Sequence, residues 1–387
     1  MAVWRSVFFG LVLLLAALRP ASAQIIESKA PYAVIYDATS DTVLYSKLGT
    51  EPMIPASMTK IMTAFVIFDR IDLGELSTAQ EFVTSERAWR EGGFASGGST
   101  MGLEPGQRAT VMELLRGMIV VSGNDACIVL AEGISGTEEA FAREMTRVAR
   151  KNGYASANFE NSTGLYSDSH RISAEDLARL TAELIKRFPS FYDLYAEQEF
   201  TWNGITQPNR NLLLDRFEGA DGVKTGHLSQ SGYGMVASAE LEGRRIIVVV
   251  NGLPSEAERA QETERLLRLG FTAFETREIG EAGQRVGEVE VFLGSARSVG
   301  VVMKEPITLT AAKRAFRDGK TEIVYRSPVR APVKAGDEIA RLVITLPERD
   351  AVSVPLLAAE DVSGMGFLER ALAGFSEMLF GASEAPQ

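Results

Sequence analysis

Residues 55–63 read Pro55-Ala-Ser57-Met-Thr-Lys60-Ile-Met-Thr63, and the reading of the chain turns on them. Downstream, Ile61, Met62, Phe65, Val66 and Phe68 recur at helical spacing, so the pattern predicts a helix over 57–71. Ser57 and Lys60 are three residues apart and share one face of it. A serine hydroxyl is a poor nucleophile until a base takes its proton. Lysine is a base only when neutral, a form that burial and a second cation both favour. The helix N-terminus would favour negative charge developing at Ser57. Taken alone, the pair reads more simply as an N-cap followed by a solvated lysine.

Two further stretches change that balance. Ser122-Gly-Asn124 ends an apolar run, Leu114 to Val121, that opens with the capping box Thr110-Val-Met-Glu113. A competing match, Ser156-Ala-Asn158, lies in a polar stretch after Asn152-Gly153. Lys224-Thr-Gly226 precedes two β-rich runs, 232–241 and 244–253, split by the hairpin signal Glu242-Gly243. Lys224 is the natural second cation for Lys60. The chain has no G-x-S-x-G, H-E-x-x-H or C-x-x-C motif. Gly232-Tyr-Gly234-Met-Val-Ala237 fits a dinucleotide fingerprint superficially, but a strand follows where that motif needs a helix. Gly319-Lys320-Thr321 lacks the leading glycine of a phosphate loop, since Arg314 stands there, and reads as a turn.

The 387 residues are 45% apolar and 24% charged, which is ordinary globular composition. A net charge of −11 excludes a main partner that is nucleic acid, because no basic surplus exists to neutralise phosphates. A single cysteine, Cys127, excludes an internal disulfide framework and reads as a small core residue. Two histidines, His170 and His227, make a multi-histidine metal centre an unsuitable reading, and no cofactor or metal is expected. His170 reads as a loop residue.

Residues 1–23 have the form of a secretory signal peptide: Arg5, an apolar stretch from Val7 to Leu18, and the cleavage site Ala21-Ser22-Ala23. Cleavage would remove two arginines and no acid, taking the charge from −11 to −13. Hairpin strands are expected within 32–45 and helices at 124–134, 138–151, 173–187 and 256–274. Beyond residue 277, short Val/Ile-rich runs at 289–292, 299–302, 307–309, 323–325, 339–346 and 352–357 indicate a separate small all-β domain. Finally, Met365, Leu368, Leu372, Phe375 and Leu379 fall on one face of a helix over 364–381, which suits a membrane interface. Only Arg370 is basic there. The expected organisation is therefore a signal peptide at 1–23, a catalytic domain at 24–276, a β-rich domain at 277–357, and an amphipathic helix and tail at 358–387.

With these blocks in view, the chain resembles the serine D-alanyl-D-alanine carboxypeptidases, the low-molecular-mass penicillin-binding proteins. Ser122-Gly-Asn-Asp-Ala-Cys127, Asp221-Gly-Val-Lys-Thr-Gly-His227, Phe200-Thr-Trp-Asn-Gly204, Asn209-Arg-Asn211 and Gly232-Tyr look like family blocks, and the likeness spans about 25–357. It implies an α/β (α+β) fold: a penicillin-binding-protein/serine β-lactamase-like catalytic domain whose antiparallel sheet is flanked by helices beside a helical lobe. It further implies a β-rich C-terminal domain and a membrane-associating helix.

The resemblance also implies roles. Ser57 would be the acylated nucleophile and Lys60 its base, with Ser122 relaying a proton to the departing D-alanine. Asn124 would position substrate or Lys60. Lys224 and Thr225 would hold the substrate carboxylate, and Gly226 would let the strand approach the substrate backbone. The N–H groups of Ser57 and His227 would form the oxyanion hole. Arg210 matches a family arginine near the carboxylate site, with a structural salt bridge as the alternative; Arg259 is a weaker candidate. Ser162-Thr-Gly-Leu165 stands where some relatives place a histidine before Gly-Leu. The glycine-rich segment 92–99 would be a flexible loop bordering the site. The partners implied are peptidoglycan stem peptides, β-lactam antibiotics and the inner-membrane surface. A β-lactamase, a D,D-endopeptidase and a non-catalytic peptidoglycan-binding relative remain alternatives; against the first, Leu-Asn of the class A deacylation motif occurs nowhere in the chain.

Overall fold

The computed structural model describes residues 27–347 and 351–366. The segment 1–23, expected to be a signal peptide, and most of the expected C-terminal amphipathic stripe lie outside the described residues. The fold is α/β: an antiparallel sheet flanked by helices with a helical lobe beside it, followed by an all-β unit.

Five strands make the first sheet, in the order Thr42–Lys47, Tyr32–Asp37, Arg244–Leu253, Gly232–Leu241, Ala220–Leu228. The hairpin signals are obeyed: Tyr32–Asp37 pairs with Thr42–Lys47, and Gly232–Leu241 with Arg244–Leu253. In the central strand Ile246 to Asn251 are all buried, because both faces of the sheet are covered. Ile246, Val248 and Val250 pack with Leu266 and Leu267 of the helix Glu256–Thr272, whereas Ile247 and Val249 face the helical lobe. That helix stops at Thr272, short of the expected 274, and Phe274 begins a strand that pairs with Ile307–Ala312.

The helix carrying Lys60 departs from the helix expected over 57–71, and Lys60 from a solvated position. Residues 56–59 form a 3-10 turn, and the α-helix itself runs Lys60–Asp72. Every residue from Lys60 to Phe68 is buried, the polar Lys60 and Thr63 included. The helix threads the middle of the lobe, so its polar residues must find partners inside.

Two glycines fix where the 3-10 turn sits. A Cβ at Gly226, on the edge strand, would lie 2.8 Å from the Pro55 carbonyl oxygen and 3.2 Å from the Ala56 Cβ. A Cβ at Gly164 would lie 1.9 Å from the Ala56 carbonyl oxygen. The turn carrying Ser57 is thus clamped between a strand edge and a loop, each approaching by backbone alone. Ala56 itself holds a left-handed φ of 49°, a strained conformation for alanine.

The second unit has a six-stranded sheet in the order Lys320–Val324, Glu338–Thr345, Val352–Ala358, Ser298–Met303, Arg285–Phe292, Val329–Arg330. Val289, Val291, Val301, Leu342, Ile344 and Leu356 fill its core. Gly319-Lys320-Thr321 leads into the first of these strands. Residues counted with the tail from sequence still belong to this sheet's surroundings, since Val362 bridges to Val333 and Gly364 to Gly294.

Gly164→Ala is expected to lower the thermal midpoint by several degrees, because the added methyl meets the Ala56 carbonyl and φ is +84°. Thermal denaturation followed by circular dichroism tests this, and an unchanged midpoint would mean the loop does not clamp the turn.

Candidate active site

Ser57 is half-buried in the 3-10 turn, and its side chain caps nothing. Lys60 is 1% exposed. Its ammonium donates to Ser57 Oγ at 3.0 Å, Asn124 Oδ1 at 2.8 Å and the Thr163 carbonyl at 2.7 Å. Three protons meet three acceptors. Two of those acceptors, an amide oxygen and a carbonyl, can only accept. The serine hydroxyl can also donate. When Lys60 loses a proton, its lone pair therefore falls toward Ser57, which turns from acceptor to donor. Burial holds the Lys60 ammonium below the usual lysine range.

The arrangement around Asn124 explains why that residue is available. Asn124 opens the helix Asn124–Ser135, and its N–H donates to the Ser99 carbonyl at 2.8 Å. Its neighbour Asp125 is fully buried and accepts from Met101 N, Gly102 N, Leu103 N and Thr100 Oγ1. One carboxylate thereby sews the 100–103 loop to the helix. Ser122 leads into this corner with a left-handed φ of 62°, a further strained position at the site. The competing Ser156-Ala-Asn158 is structural: Ser156 binds Asp176, and Asn158 binds Glu160 and the Ser169 carbonyl.

The glycine-rich segment is more ordered than a flexible loop. Gly92 ends a helix, and 94–96 form a 3-10 turn. A Cβ at Gly98 would lie 2.9 Å from the Asn124 amide nitrogen, so this segment borders the site.

On the other wall, Lys224 is 2% exposed and makes one long bond, 3.5 Å, to the Thr225 carbonyl. Burial, with Lys60 and then Arg259 and Arg210 nearby, holds it well below the usual lysine range. Arg210 donates to Gln207 Oε1 at 3.1 Å, and no carboxylate among the described residues pairs with it, so the salt-bridge alternative fails. Arg259 is the structural one: it pairs with Glu256 at 2.6 Å. Thr225 is buried beside Lys224. His227 is exposed and stacks on Tyr233, ring centroids 3.9 Å apart, while Arg259 covers that same ring at 5.8 Å. Gly226 serves, in what the geometry shows, the approach to the Ser57 turn. Lys224 and Arg210, near each other and with no carboxylate partner among the described residues, form a receptor suited to an anionic ligand.

Sequence reasoning passed over the support beneath Lys60. Glu138, at 4% exposure, accepts from Ser162 N at 3.0 Å and Ser162 Oγ at 2.6 Å, and pairs with Arg87. The Ser162 carbonyl then accepts from Thr63 Oγ1 at 2.7 Å, which fixes the Thr163 carbonyl against Lys60. Only the Thr-Gly pair at 163–164 hinted at a tight turn there.

His170 is likewise no idle loop residue. It is 1% exposed, and its Nδ1 accepts from the Glu160 N–H at 3.1 Å. The remaining proton sits on Nε2, 2.8 Å from Thr59 Oγ1 in the nucleophile turn. Cys127 fits the core reading: it is fully buried, its Sγ is 3.2 Å from the Gly123 carbonyl, and burial pushes the thiol up to about 12.

A buried lysine bonded to a serine on this α/β scaffold is the arrangement of an enzyme that transfers acyl groups through a serine. A family model described as D-alanyl-D-alanine carboxypeptidase matches residues 19–255, and one described as penicillin-binding protein 5, C-terminal domain, matches 274–363. The chain belongs to the D-alanyl-D-alanine carboxypeptidase family. It is 35% identical to the D-alanyl-D-alanine carboxypeptidase DacF of Bacillus subtilis, over 88% of this chain and 87% of that one. It is 36% identical to DacA of Haemophilus influenzae, over 86% and 85%. The crystal structure of DacD from Francisella tularensis superposes with a TM-score of 0.79 at 31% identity, over 88% of this chain and 95% of that one. Penicillin-binding protein D2 of Listeria monocytogenes in its ampicillin-bound form gives 0.56 at 27%, over 64% and 99%.

Burial depresses the His170 imidazole to about 4. Between about pH 6.5 and 4 the unfolded chain would bind a proton there that the native state refuses, so stability falls as pH falls through that window. The expected contribution is on the order of 2–3 kcal/mol. Urea unfolding at several pH values checks it, since His170→Phe should lose this slope; an identical slope in the variant would assign the acid sensitivity elsewhere.

Proposed function

We propose that this chain removes the terminal D-alanine from peptidoglycan stem peptides ending in D-Ala-D-Ala, through an acyl-enzyme on Ser57. The observation that carries the reading is the Lys60 ammonium, buried and bonded to Ser57 Oγ, Asn124 Oδ1 and the Thr163 carbonyl.

The substrate carboxylate enters the cationic wall and binds Lys224, Thr225 and Arg210. Its charge replaces the missing counter-ion of Lys224 and offsets part of that residue's burial cost. Neutral Lys60 then takes the Ser57 proton as Oγ attacks the penultimate carbonyl. Negative charge on the carbonyl oxygen is received by the N–H groups of Ser57 and His227. Ser122 passes a proton to the amine of the leaving D-alanine, with Asn124 keeping Lys60 in place. Water, activated by Lys60, releases the shortened peptide and restores the hydroxyl. A β-lactam presents a carboxylate and a reactive carbonyl in the same relation, and acylates Ser57 by the first half of this path.

We also infer work outside the cytoplasm, at a membrane surface. The segment 1–23 supports export, and the apolar stripe through Met365, Leu368, Leu372, Phe375 and Leu379 supports peripheral attachment. No helix among the described residues is long and apolar enough to cross a membrane.

D-alanine release from a diacyl-L-Lys-D-Ala-D-Ala tripeptide should vanish in Ser57→Ala and fall at least about a thousandfold in Lys60→Met. Lys224→Ala should chiefly raise KM. Activity should rise with pH through the lowered Lys60 titration, because the neutral amine is the base. Release retained by Ser57→Ala would refute the reading. Folded parent enzyme that spares the tripeptide but cleaves crosslinked peptides would move it to an endopeptidase. Deleting 367–387 should shift the protein from the membrane to the soluble fraction, and unchanged fractionation would remove the tail from the attachment.

A further inference from the structure

The chain enters the fold beside a cavity that the catalytic site does not use. Thr42–Lys47 is an edge of its sheet, and no described strand pairs with its outer side. Leu44 and Tyr45 of this edge line a cavity of about 290 Å³ together with Phe274, Ala312, Ala315 and Pro347 of the β unit. No charged side chain is among the described residues that line it. An apolar cavity of about 150 Å³ already admits a benzene molecule, so this one has room for aliphatic side chains. It forms a seam between the catalytic sheet and the β unit, along the kind of open strand edge that proteins cover.

The first described residues lead toward this cavity. Ser28 Oγ and Lys29 N donate to Glu262 Oε1 at 2.8 and 3.0 Å. One residue earlier, the Glu27 carbonyl accepts from Arg265 Nη2 at 2.9 Å. Read backward, the chain thus advances along the helix Glu256–Thr272 from Glu262 to Arg265, toward the end that runs into Phe274. Ser28 N also donates to the Tyr45 hydroxyl at 3.1 Å, and the Lys47 ammonium to the Ser28 carbonyl at 2.6 Å. Glu27 therefore stands beside one wall of the cavity. From Arg265 to the helix end is roughly 10 Å, the length that three extended residues span. Burial alternates at this start: Ala30 and Ser28 are buried, Lys29 and Glu27 exposed. The next inward position is Ile26, preceded by Gln24 and Ile25.

We infer that residues 24–26 dock in this cavity, with the Ile26 side chain seated between Leu44 and Tyr45 on one side and Ala312 and Ala315 on the other. The segment covers the open strand edge and braces the β unit against the catalytic sheet. Its two isoleucines match the apolar walls, and Gln24 brings no side-chain charge to them. One isoleucine buried against both units holds them together, because its seat exists only while the two stand side by side. The chemistry takes no part in this. The Ser57 turn lies against Ala220–Leu228, which is the opposite edge of the same sheet.

The test uses the chain from Gln24 onward, which contains every described residue, with one cysteine added at a cavity wall: Leu44→Cys on the catalytic sheet or Ala312→Cys on the β unit. Both positions are half-buried, whereas Cys127 is fully buried and silent toward a water-soluble thiol reagent. Adding Ile26→Asp should speed labelling of either cysteine at least about tenfold, and adding Ile26→Val should leave both slow. A cysteine at the exposed Thr321, placed there by Thr321→Cys, should react at one rate throughout. Circular dichroism and D-alanine release from the soluble tripeptide should match the parent in every variant. Labelling of both wall cysteines that ignores Ile26→Asp would overturn the inference. Faster labelling at Leu44→Cys alone would leave the segment on the sheet edge and overturn the brace. An equal rise at Thr321→Cys would trace the effect to general loosening of the β unit, and would overturn the brace as well.

Discussion

A buried ammonium needs three acceptors, and the site is built to meet that need at Lys60. Leaving such an ion unpaired in a protein interior costs several kcal/mol, so each acceptor must arrive from whatever element can reach. Ser57 comes from the preceding turn, Asn124 from the start of another helix, and Thr163 from a loop about a hundred residues on. Each is then held by its own support: the turn by Gly226, Gly164 and His170, the helix by Asp125, the loop by Glu138 and Thr63. The support is largely polar and buried, a network in which each member's satisfaction depends on its neighbours.

The same requirement gives the chemistry its direction. Because two of the three acceptors cannot donate, proton loss from Lys60 has one useful outcome, a lone pair facing Ser57. The opposite wall works by deficit. Among the described residues Lys224 and Arg210 have no carboxylate partner, and a substrate ending in a carboxylate completes them. Charge is thus satisfied on the base side before substrate binds and on the binding side only afterwards. Stability and recognition are divided between the two walls of one cleft.

Much of this was legible in the chain. The strand pair 232–241 and 244–253 and the helix 138–151 are found at the bounds that pattern gave them, because alternation, caps and hairpin glycines are local effects. The motif residues Ser57, Lys60, Asn124 and Lys224 converge as their order suggested. What pattern could not give was Glu138, His170 or the Thr163 carbonyl. Glu138 looks like any first-turn acid, and His170 like any polar residue in a serine-rich loop. A carbonyl carries no side-chain signal at all. The helical spacing of apolar residues after Lys60 missed that every residue from Lys60 to Phe68 is buried, since periodicity reports the strongest face and is silent about what covers the others.

The sequence by itself determined the local elements, the two-part division into α/β and all-β regions, and the residue types able to do acyl transfer. It could do so because propensity, capping and side-chain chemistry act over a few residues. Only the tertiary structure decided that Lys60 would be buried, that its third acceptor would be a backbone carbonyl, and that Arg210 would meet no carboxylate among the described residues while Arg259 found Glu256. Those outcomes depend on burial and on contacts between segments distant in the chain, and both come into being only when the chain closes on itself.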